Sequence, residues 1–275
     1  MKTHSNVARL WALALGAAWL LGACSRPESE PAPRKPEQLV VFAAASLREA
    51  FGSLAEEFEK SHAGVTLTFN FAGTQEIRTQ LEQGAIADVF AAADTRHMSA
   101  LRDAGMVEAS TIFAQNEPVV VVAKEKGDSI PTFAELPSAQ RIVIGAPEVP
   151  IGKYTLQILE RASTAFGPDF RERVEARVSS RELNVRQVLA KVSLGEADAG
   201  IVYRSDLVAV RGQIGVLAIP PAINVVAEYP IAVVRSAPHK TLAREWIALT
   251  LSDRGAELLR VAGFRAPVLA QAVPR

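Results

Sequence analysis

From Val40 the chain runs apolar through VVFAAA, stops at Ser46, and continues with Leu47, Phe51, Leu54 and Phe58 at spacings of 4, 3 and 4. The unbroken run predicts a buried strand, and the spacing predicts a helix with one apolar face. Ser46, between them, is the expected N-cap, with its hydroxyl and the next free N–H groups over the carboxyl end of the strand. A helix start in that position favours anions.

The same alternation of strand and helix fills the rest of the chain. VTLTFNF alternates at period two through Val65, Leu67, Phe69 and Phe71, and a helix over 74–83 ends at Gly84, a C′ glycine by position. ADVFAAA, a helix near 95–103 and the apolar PVVVVAK follow. Next come RIVIGA, a helix from Gly152 to about Ser163, VEARVS, a helix over 184–194 closed by Gly195, and AGIVYRSD. IGVLAIP and VVAEYPIAVV precede two closing helices around 241–251 and 253–261. Repeated βα units with near-continuous apolar strands imply an α/β fold of mostly parallel sheets covered on both faces.

The first residues break this pattern. Lys2 and Arg9 precede LWALALGAAWLL and then LGAC, which ends at Cys24, the single cysteine. The run is short for a membrane span and reads as the apolar stretch of a signal peptide over 1–23. The LGAC sequence resembles the lipobox of bacterial lipoproteins, in which the cysteine becomes an acylated N-terminus. On that reading Cys24 anchors the chain to a membrane, and the proline- and charge-rich 24–37 stretch is an extended tether. The body is then expected outside the cytoplasm, in the periplasm or at the cell surface.

From Gln38 onward roughly 240 residues remain, near the size at which one core divides in two. Extended stretches at 117–123 and 225–233 are the expected crossings. They divide the chain into a first lobe of 38–118 with 226–275 and an inserted second lobe of 119–225, with the default ligand site in the cleft between them.

Composition and motifs narrow the chemistry. The chain carries 30 basic and 30 acidic residues, so it lacks the basic surplus of a nucleic-acid footprint. His4, His62, His97 and His239 show no metal-ligand spacing, and no phosphate loop or nucleophile elbow is present. No catalytic residue, cofactor or metal site is expected. Asp88, Asp94 and Asp198 flank strand ends, where carboxylates usually cap.

Four turns set a helix start just past a strand: Ser46-Leu47, Gly73-Thr74, Pro150-Ile151-Gly152 and Leu183-Asn184-Val185. Each helix start carries about +0.5 elementary charge, so four converging ones give on the order of +2 without a cationic side chain. That suits a small dianion. Taken singly, Ser46 and Thr74 serve equally as caps, Gly73 and Gly152 as loop punctuation, and Tyr203 as a core residue. The joint pattern favours an anion site.

VFAAASL, FAGT, GAIADVFAAAD, VVVVAK, GAPEVPIGKY, NVRQVLAKV, GEADAGIVYRSD and EYPIAV together resemble, in order and over about 39–264, the periplasmic molybdate-binding proteins of ABC transporters. The resemblance implies the two-lobed periplasmic-binding-protein type II fold, with a ligand cleft between lobes. It further implies a monomer that closes on molybdate or tungstate and delivers it to a membrane permease. The ligand positions it implies are Ser46 and Thr74 through hydroxyl and N–H, Ile151 and Val185 through N–H, and Tyr203 through its phenol.

Two positions depart from the family pattern. The Pro150-Ile151-Gly152 turn is one residue shorter than usual and carries bulky Ile151, and Gly73 stands where a serine is common. Both bear on cavity size, so sulfate or another small anion stands as the alternative ligand. A surface lipoprotein for sensing or protein contacts is the alternative of another class.

Overall fold

A computed structural model of the protein describes residues 37–210 and 212–267. The expected signal segment, Cys24 and the tether (apart from Glu37) lie outside the described residues. Among the described residues, no helix is long and apolar enough to cross a membrane.

Two five-stranded mixed sheets form the frame. The first has the order β2-β1-β3-β10-β4, built from β1 (Glu37–Ala44), β2 (Val65–Ala72), β3 (Val89–Ala91), β4 (Thr111–Asn116) and β10 (Ala227–Val233). The second has the order β7-β6-β8-β5-β9, built from β5 (Pro118–Val122), β6 (Ile142–Gly145), β7 (Val178–Glu182), β8 (Ala199–Tyr203) and β9 (Gly215–Leu217). In each sheet one strand runs against the rest. β10 is antiparallel to β3 and β4, and β5 is antiparallel to β8 and β9. These reversed strands are the crossing segments seen in sequence. Each enters its sheet directly from the other sheet, without an intervening helix: β5 follows β4, and β10 follows β9.

The helices lie where the apolar spacing puts them: α1 (Arg48–Ser61), α2 (Thr74–Glu82), α3 (Thr95–Asp103), α4 (Pro150–Phe166), α6 (Val185–Ser193), α7 (Lys240–Leu251) and α8 (Asp253–Val261). Gly84 follows α2 at φ +91°, the left-handed conformation that a C′ glycine supplies. Two elements are absent from the sequence pattern, β4 and the short α5 (Phe170–Glu175). α5 takes in Val174, at the head of the segment read as the strand VEARVS, and so delays β7 to Val178.

Ser46 is not the N-cap of α1. It lies in a 3-10 turn over Ala45–Leu47, and α1 begins at Arg48 with Leu47 in the cap position and no side-chain cap bond. The apolar face explains this: Leu47, Phe51, Leu54 and Phe58 are all fully buried, so Leu47 must turn inward before the helix proper starts. Trp246 of α7 clamps that face, edge-on to Phe51 at 5.3 Å and to Phe58 at 5.7 Å between ring centroids.

In the second half, α4 starts hard against β6. A Cβ on Gly152 would lie 2.0 Å from the Ala146 carbonyl oxygen and 2.5 Å from that of Gly145. Gly152 is therefore a packing requirement, not loop punctuation. Gly152→Ala is expected to lower stability by about 1–3 kcal/mol through overpacking. Urea unfolding checks this, and an unchanged midpoint would show that the helix start can back away freely.

Candidate functional site

All five positions predicted from sequence line one small cavity of about 20 Å³ between the sheets. Ala44, Ala45 and Ser46 come from the end of β1 and the turn after it, and Ala72, Gly73 and Thr74 join β2 to α2. Ala93 follows β3, Val149 to Ile151 open α4, Asn184 and Val185 open α6, and Tyr203 ends β8. Strand ends and helix starts of both sheets thus converge, although they are far apart in sequence.

The donors follow from local structure. Ile151 is the second residue of α4, where an N–H has no carbonyl one turn earlier to bond. The first N–H of that helix belonging to a return bond is that of Lys153, which donates to the Val149 carbonyl at 2.9 Å. At α6, the Asn184 side chain caps the N–H groups of Arg186 and Gln187 at 3.1 and 3.2 Å, and this leaves the Val185 N–H for the cavity. At α2, Gly73 is the cap and Thr74 the first helical residue. The Thr74 hydroxyl accepts from the Ala93 N–H at 3.2 Å, so its own proton is free to donate.

Tyr203 completes the set. It is fully buried, and its phenolic oxygen has no hydrogen-bond partner among the described residues. Burial is the main cause that lifts its pKa well above the usual tyrosine value, so the group stays a neutral donor. Tyr229, which the sequence reading did not single out, stands behind the wall. Its hydroxyl is 2.9 Å from that of Ser46, and its ring meets Tyr203 edge-on at 5.9 Å. A buried tyrosine must find a partner for its hydroxyl, and a lone tyrosine in the otherwise apolar core of AEYPIAV was the signal available.

Arg186, on the first turn of α6, is engaged elsewhere. Arg186 pairs with Glu49 of α1 and lies 3.1 Å from Asp206 through Nε. Asp88, Asp94 and Asp198 act as acceptors for local N–H groups. Asp88 takes those of Val40 and His239, Asp94 takes that of His97, and Asp198 takes those of Gln140 and Arg141. Burial works to raise the Asp198 pKa, but the Arg141 side chain and these N–H bonds outweigh it and hold the carboxyl below its ordinary value.

Contacts between the two sheets' helices surround the cavity. Gln75 donates to the Leu183 carbonyl at 2.6 Å, and Arg96 donates to that of Glu148 at 2.7 Å. At Gly73 a Cβ would sit 2.3 Å from the Leu183 oxygen. Any side chain there would have to displace that backbone.

With this geometry, the chain matches the profile of the bacterial extracellular solute-binding protein family over residues 39–265. It is 38% identical over 253 residues to the molybdate-binding protein of Mycobacterium tuberculosis, covering 90% of this chain and 93% of that one. Two solved structures share the fold at 18% identity. The periplasmic molybdate-binding protein of Azotobacter vinelandii has a TM-score of 0.73 and covers 83% of this chain and 99% of that one. The sulfate-binding protein of Mycobacterium tuberculosis has a TM-score of 0.76 and covers 85% and 88%.

Asp206, beneath Tyr203, has a raised carboxyl pKa. It is fully buried, accepts from the Tyr203 N–H at 2.9 Å, and has its pKa pushed up to about 6. Burial drives the rise against the pull of Arg186 and the Tyr203 N–H. A folded-state pKa above the unfolded one means this group favours folding at low pH, and the gain is lost as pH rises through about 6. From about pH 4 to about pH 7, the stability of the natural chain relative to Asp206→Asn is expected to fall by on the order of 2–3 kcal/mol. Urea unfolding of both proteins at the two pH values measures this. A difference that does not change with pH would contradict the assignment.

Proposed function

This chain belongs to the bacterial extracellular solute-binding protein family, and we propose that its inter-sheet cavity captures molybdate (or tungstate) for delivery to an ABC permease. The observation that carries this is the convergence of Ser46, Thr74, Ile151, Val185 and Tyr203 on one small cavity, with the buried Tyr203 hydroxyl lacking any partner among the described residues. The identity to a molybdate-binding relative over nearly the whole chain supports the choice of ion. The relatives of this family are solute-binding transport proteins, not enzymes.

Hydroxyl and backbone N–H donors suit a fully deprotonated tetrahedral dianion. Hydrogen phosphate carries a proton that needs an acceptor, and no carboxylate lines the cavity. In this reading residues 38–118 with 226–275 move as one lobe against 119–225. The ion shifts the population toward the shut form because it touches both lobes only there. Cys24 anchors the body to a membrane, and the stretch to Glu37 gives it reach. The family places the body outside the cytoplasm.

Calorimetric titration with molybdate, tungstate, sulfate and phosphate tests the assignment. Molybdate and tungstate are expected to bind and phosphate to stay silent. Binding of phosphate with no response to the first two would overturn it.

Gly73→Ala probes the closed form directly. The backbone there, φ −61° and ψ 140°, accepts alanine, so the collision with Leu183 arises only when the lobes meet. Molybdate affinity is expected to fall roughly 5- to 100-fold, with the ligand-free melting temperature little changed. A loss of ligand-free stability at unchanged affinity would show that Gly73 serves the fold and not closure.

A further inference from the structure

Two helices that start beside the cavity also make a charged contact across it. Glu49 lies in the first turn of α1, three residues after Ser46, and Arg186 follows Val185 in the first turn of α6. Their side chains form an ion pair. Glu49 belongs to the side built on the first sheet and Arg186 to the side built on the second. Among the described residues, this is the one ion pair joining the two sides away from the crossing strands. The other, Arg204 with Glu117, sits at a crossing itself.

The two ends of the contact are held differently. Arg186 has a second carboxylate on its own side, with Nε 3.1 Å from Asp206 Oδ1. Asp206 is fully buried, and its other oxygen accepts from the Tyr203 N–H at 2.9 Å, which ties it to the end of β8. Removing the guanidinium would leave that buried charge uncompensated, which is strongly unfavourable. Arg186 therefore stays with Asp206 whether the cleft is open or shut. Glu49 is under no such constraint. Its side chain is partly exposed and has no other ion-pair or hydrogen-bond partner among the described residues. When free, it sits at a helix start, where a negative charge is favourable.

We propose that Glu49 is a positioning residue for ligand retention: it closes onto Arg186 when the two sides meet around the oxyanion, and it must let go before the ion leaves. The proposal rests on the oxyanion reading of the cavity and on the movement of the two sides. Glu49 does not line the cavity and acts on the ion only by favouring the shut form. Charge alone would act in the opposite direction. A carboxylate near a dianion repels it, so its removal would tighten binding. Loss of the latch weakens binding instead, because the shut form gives up a contact that the open form never had.

Molybdate titration and release kinetics test this, at a pH well above the Asp206 value of about 6 so that its carboxyl is ionised. Glu49→Gln keeps the size and removes the charge. Affinity is expected to fall about 3- to 10-fold, mainly through faster release, with the ligand-free melting temperature little changed. Glu49→Asp keeps the charge but loses the reach, and it too is expected to release the ion faster than the natural protein. With Arg186→Gln and Asp206→Asn combined, both partners on the second side are neutral, and Glu49→Gln is then expected to weaken binding no further.

Unchanged or tighter binding in Glu49→Gln, or the natural release rate in Glu49→Asp, would overturn the proposal, as would a full further loss in the neutral background. If that background does not fold, the two Glu49 variants decide by themselves. Failure of the natural protein to bind any oxyanion is a separate outcome and would fall on the functional reading itself.

Discussion

An N–H group at the start of a helix has no carbonyl behind it, and burying such a group without a partner costs about 1–3 kcal/mol. Much of this architecture follows from where those groups end up. Strand ends of both sheets lead into α2, α4 and α6, which turns first-turn N–H groups toward a single small space. An anion with four equivalent oxygens answers that demand better than any side chain the cavity walls contain. The sheets, their reversed strands and the clamp of Trp246 on α1 all serve to hold these helix starts opposite each other.

The local capping chemistry decides which groups remain available. Asn184 takes the two N–H groups after Val185 and leaves that of Val185 itself. Glu76 folds back onto the Gly73 N–H at 2.8 Å and leaves Thr74 free. Ala93 donates to Thr74, so that hydroxyl has one lone pair filled and keeps its proton to donate. In each case an acceptor is engaged from behind and a donor remains in front.

Much of this was legible in the sequence, because helix spacing and strand runs are local. Leu47, Phe51, Leu54 and Phe58 announced α1, and the four turns announced the cavity. Ser46 illustrates the limit. Its place between strand and helix puts it at the cavity wall, but the same local reading makes it a cap, and only the burial of Leu47 shows why the helix starts two residues later. Tyr229 was illegible for a different reason. Its contact with Ser46 joins residues far apart in the chain, and nothing in EYPIAV records which hydroxyl lies opposite. β4 was likewise hidden, since Thr111, Gln115 and Asn116 give it no apolar run and its place comes from pairing with β10.

The absence of a free cation among the cavity walls has its own logic. Arg186 stands beside the α6 start, yet Glu49 and Asp206 hold it, and Asp206 itself lies under the Tyr203 N–H. A guanidinium turned to the anion would form a buried ion pair, whose separation exposes an uncompensated charge and is strongly unfavourable. Neutral dipoles impose no such penalty on release. Each donor returns to water or to a neighbouring acceptor when the ion leaves, whereas a stranded Arg186 would not. A carrier must bind its ion firmly and then give it up, and donors built from backbone and hydroxyl groups meet both demands. Turning Arg186 back toward its own carboxylates lets the cavity stay electropositive through its helix starts alone, with the bridge to Glu49 joining the two sides above it.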